Sequence, residues 1–65
     1  MNEEQIIDML TLNAFNYHKF GEAKFYISFE FYMNELQHIK GFNSIEEACE
    51  YYLAQGEMPS EKLSA

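Results

Sequence analysis

A single cysteine, Cys49, in a chain of 65 residues removes the two staples by which chains this short are commonly held. One thiol forms no internal disulfide, and no cluster of Cys and His stands at the spacing of a structural zinc site. Apolar packing must carry the fold, and a chain of this length buries only about 60% of the surface its unfolded form exposes. The core is therefore thin, and it is built from aromatics: six Phe and five Tyr, with no Trp. At 48% apolar residues the composition is that of a folded chain and not a disordered one.

The spacing of those apolar residues predicts helices. Over Glu3 to Phe20, Ile6, Ile7, Leu10, Ala14 and Tyr17 recur three and four apart, as one face of an amphipathic helix requires. Glu3, Glu4 and Asp8 suit the positive end of its dipole, and Gly21 is a stop signal. Near the other end, Ser44 followed three residues later by Glu47 is a capping box. It starts a helix over about 44–55 that buries Ile45, Ala48, Cys49 and Tyr52 and ends at Gly56 and Pro59.

The middle segment satisfies two periods. Read as a helix, Phe25, Phe29, Tyr32, Leu36 and Ile39 form a seam alternating four and three. Read as strand, Phe25, Ile27, Phe29, Phe31 and Met33 alternate with Tyr26, Ser28, Glu30 and Tyr32, residue types that favour sheets. The seam reaches Ile39 without a turn pair such as Asn-Gly, which favours helix. The expected fold is all-α, three helices over about 3–20, 22–40 and 44–55 in one domain of residues 1–55, with 56–65 a flexible tail. The alternative is α+β, a β-hairpin packed with an N-terminal and a C-terminal helix.

Eleven acidic residues against four lysines and no arginine leave a formal charge of −7. Phosphate neutralisation needs Lys and Arg, so direct nucleic-acid binding is not expected, nor is binding to an anionic membrane. No apolar run nears the ~18 residues of a membrane span, and the acidic start differs from a basic signal peptide; the expected compartment is the cytoplasm. Net acidity suits a basic protein partner as well as plain solubility.

Nothing in the chain reads as catalytic. His18 and His38 lack a neighbouring Cys, nucleophile elbow or second His at ligand spacing. Cys49 has Glu46, Glu47 and Glu50 for nearest charges, which disfavour a reactive thiolate. Gly21, Gly41 and Gly56 are isolated, and no P-loop Lys follows them. No enzyme activity, cofactor or metal is expected. Two surfaces are candidates instead. Glu46, Glu47 and Glu50 form an acidic face whose like charges four apart oppose helix formation, and so suit a basic partner. Leu12, Phe15, Ile27 and Phe31 lie off the core stripes, nearly mirrored about Gly21, and in an antiparallel hairpin would make one apolar patch. The leading expectation is a small acidic inhibitor, of the kind phages encode, that occludes a basic nucleic-acid-binding surface of a host protein. The alternative is a structural or regulatory subunit that forms a homodimer through its aromatic patch.

Overall fold

In the computed structural model, which describes the backbone of residues 1–64 and the side chains of residues 1–55, three α-helices follow one another: α1 (Glu3–Phe20), α2 (Ala23–Lys40) and α3 (Ile45–Ser64). The all-α expectation holds. The middle segment is helical throughout, so the β-hairpin alternative for residues 22–40 is set aside. The register of α2 explains why. Met33 and Leu36, three apart, are both buried, a pair that strand alternation would send to opposite faces.

Each helix boundary has a local cause. At α1 the Oδ1 of Asn2 accepts from the Gln5 amide at 2.8 Å, and the Gln5 Oε1 accepts from the Asn2 amide at 3.0 Å, a reciprocal capping box. Gly21 closes α1 in the left-handed region at φ 68°, its N–H donating to the Tyr17 carbonyl at 2.7 Å. Gly41 closes α2 at φ 71°, with Gly41 N–H to His38 O and Phe42 N–H to Gln37 O at 3.2 and 3.0 Å, the paired bonds of a Schellman stop. At α3 the Ser44 hydroxyl accepts from the Glu47 amide at 3.2 Å. The reciprocal bond from the Glu47 side chain is not among the hydrogen bonds of the described residues. The helix does not end at Gln55 as expected, because the backbone remains helical through Gly56 and Pro59 to Ser64. The expected flexible tail falls largely on residues whose side chains lie outside the description.

Ring contacts set the arrangement of α1 and α2. Tyr17 meets Tyr26 with centroids 5.7 Å apart, and Phe20 meets Phe25 at 6.0 Å, so the pair is an antiparallel hairpin turning at Gly21. Its lower half holds the core: Ile6, Leu10, Met33 and Leu36, with Ala48 supplied by α3. The crossing direction of α3 is visible in its neighbours. Ile45 and Cys49 share a hollow with Glu30, Met33 and Asn34 of α2; Tyr52 packs edge-on against Phe29 and its hydroxyl lies 3.1 Å from the Thr11 hydroxyl of α1; Gln55 reaches the hollow formed by Glu4, Ile7 and Asp8. α3 thus lies across one face of the hairpin, from the flank of α2 to the flank of α1, and leaves the half nearest Gly21 uncovered.

Three residues expected in the core are exposed instead: Tyr17, Ile39 and Ile45. Tyr17 lies near the tip, beyond the reach of α3. Ile39 stands at the end of α2, in its last turn, and Ile45 is the first residue of α3. Asn13 is buried in their stead, its Nδ2 donating to the Met9 carbonyl at 2.8 Å.

Candidate protein-interaction site

The three helices are pinned at the base by charged and aromatic groups. The Tyr51 hydroxyl donates to Oε2 of Glu3, and the Lys40 ammonium sits 3.1 Å from Oε1 of the same carboxylate. The ammonium also stands 4.9 Å from the centre of the Tyr51 ring, which meets the Phe42 ring at 5.4 Å. One residue from each helix enters this clamp. The Tyr51 hydrogen bond, followed by that of Lys40, holds the Glu3 carboxyl below the ordinary value of 4.5. The Glu3 carboxylate in turn raises Lys40 above 10.5 and Tyr51 above 10.0. The clamp fastens the helix ends to one another.

Glu46, Glu47 and Glu50 are all exposed on α3. Among the described residues the ion pairs are Lys24 with Glu22 at 3.5 Å and Lys40 with Glu3, and none of the three takes part in either. Glu46 and Glu47 occupy the first turn of α3, where the helix dipole favours carboxylates. Glu50 lies beyond that turn. Opposite the buried Ala48 and the half-buried Tyr51 and Tyr52, Glu46, Glu50 and the exposed Leu53 fall at i, i+4 and i+7, a single outward stripe. Leu53 was missed by the sequence reading, which followed the buried face of the helix. The signal that finds it is the same period applied to the outside.

The four apolar candidates are solvent-facing: Leu12 50%, Phe15 62%, Ile27 63% and Phe31 58% exposed. At about 100° per residue they point away from the Ile6–Leu10–Asn13 and Met33–Leu36 faces, Leu12 by roughly 130° and the others by roughly 150–170°. They therefore lie on the outer flanks of the two helices, and an approach of Phe15 to Ile27 across the seam does not follow from this placement. Within its own helix the Phe15 ring is 5.9 Å from the Lys19 ammonium, and the Phe31 ring packs on Tyr32 at 5.2 Å.

A third feature was not legible in advance. Where α3 stops covering the hairpin, an open cleft of about 540 Å³ is lined by Ala14, Tyr17, His18, Gly21, Tyr26 and Phe29. It shares Tyr26 and Phe29 with the hollow beside Ile45 and Cys49.

His18 and His38 are exposed in the last turns of α1 and α2, and Cys49 is half-buried. Among the described residues no three of His, Cys, Asp and Glu gather as metal ligands, and no helix is long and apolar enough to cross a membrane. Comparison with known proteins finds no family model that matches this chain, no curated protein and no solved structure.

Proposed function

We propose that this chain is a non-enzymatic protein-binding domain whose acidic α3 face docks on a basic protein surface. Occlusion of a nucleic-acid-binding surface, the action of a phage-type inhibitor, is the form of this activity that the charge suits best. The observation that carries the reading is the outward stripe of Glu46, Glu50 and Leu53, exposed and without an ion pair among the described residues. Two carboxylates in line with an exposed apolar side chain match a basic surface that offers lysines or arginines beside an apolar spot. Repulsion between Glu46 and Glu50 opposes the helix, so a role outside folding accounts for their spacing better than helix stability does.

The test is capture from a lysate at low and high salt, followed by titration of the captured protein with wild type and with the triple variant Glu46→Gln, Glu47→Gln, Glu50→Gln. The variant is expected to fold at least as stably, and to bind at least about tenfold more weakly at low salt. Equal affinity at low salt would overturn the acidic-face reading.

A second reading, self-association through apolar residues, is favoured by the exposure of Leu12, Phe15, Ile27 and Phe31. Its mark is a dimer that persists in high salt and is lost in Phe15→Glu and Phe31→Glu.

A further inference from the structure

We draw no further inference here: the strongest candidate, the open cleft at the hairpin tip walled by Tyr17, His18, Tyr26 and Phe29, carries nothing because nothing in the structure shows what covers it.

Discussion

The hydroxyl of Tyr51 donates its hydrogen to the carboxylate of Glu3, 48 positions away in the chain. That bond closes the molecule. It joins the first turn of α1 to α3, and Lys40 at the end of α2 completes the junction from the other oxygen.

The junction makes stability depend on pH at both extremes. Glu3 has a folded-state pKa below 4.5, so its contribution is present above 4.5 and is lost as pH falls through the folded value. Lys40 and Tyr51 have folded-state values above 10.5 and 10.0. Their contributions are present below those values and are lost as pH rises through the folded ones. Urea denaturation across pH should therefore weaken at both ends, and Glu3→Gln should flatten both limbs. Tyr51→Phe should lower the thermal midpoint at neutral pH and shrink the acid limb. Unchanged limbs in Glu3→Gln would show that the junction carries no stability.

Core and flank should respond differently to equal deletions. Leu10 is fully buried and Leu12 is half exposed. Leu10→Ala is expected to cost about 2–5 kcal/mol, which approaches the whole stability that a core this small supplies. Leu12→Ala should change stability by no more than about 0.5 kcal/mol. Chemical denaturation of the two variants side by side measures the contrast.

Asn13 places an amide in the seam, where it donates to the Met9 carbonyl one turn back, a group already engaged by the helix ladder. Asn13→Leu removes the buried polar group and improves helix propensity, and should stabilise the domain by roughly 1 kcal/mol. A loss of stability would mean that the amide satisfies a partner the apolar side chain cannot replace.

Cys49 and the histidines should be dispensable for binding. Cys49→Ala, and His18→Gln combined with His38→Gln, should keep partner affinity within a few-fold of wild type.

Much of this architecture is legible in the sequence because helix starts and stops are local. Gly21 and Gly41 end helices through a backbone region that glycine adopts freely, and the first helix is found over the residues expected. The capping box that forms fully is the one at Asn2 and Gln5, where Asn replaces the more familiar Ser or Thr. Ser44 supplies only half of its own. The middle segment is ambiguous because aromatic residues four and three apart also alternate in part, and tertiary burial of Met33 decides it. Periodicity also finds which residues are exposed, such as Phe15 and Ile27, but not which exposed residues face each other. That depends on the rotation of each helix in the hairpin. The tip cleft depends on where α3 crosses, a property of no single segment.

The crossing of α3 over only one half of the hairpin divides the molecule into zones of unequal resistance to opening. Amides near Ile6, Leu10, Met33 and Leu36 are released only when the common core separates, whereas those on either side of Gly21 lie outside that core, beside the Tyr17–Tyr26 and Phe20–Phe25 contacts. Hydrogen exchange should begin at the turn and advance toward the base as a sub-global opening. Anything seated in the cleft would slow that exchange first, so protection at the turn would register occupancy before any change in overall stability could.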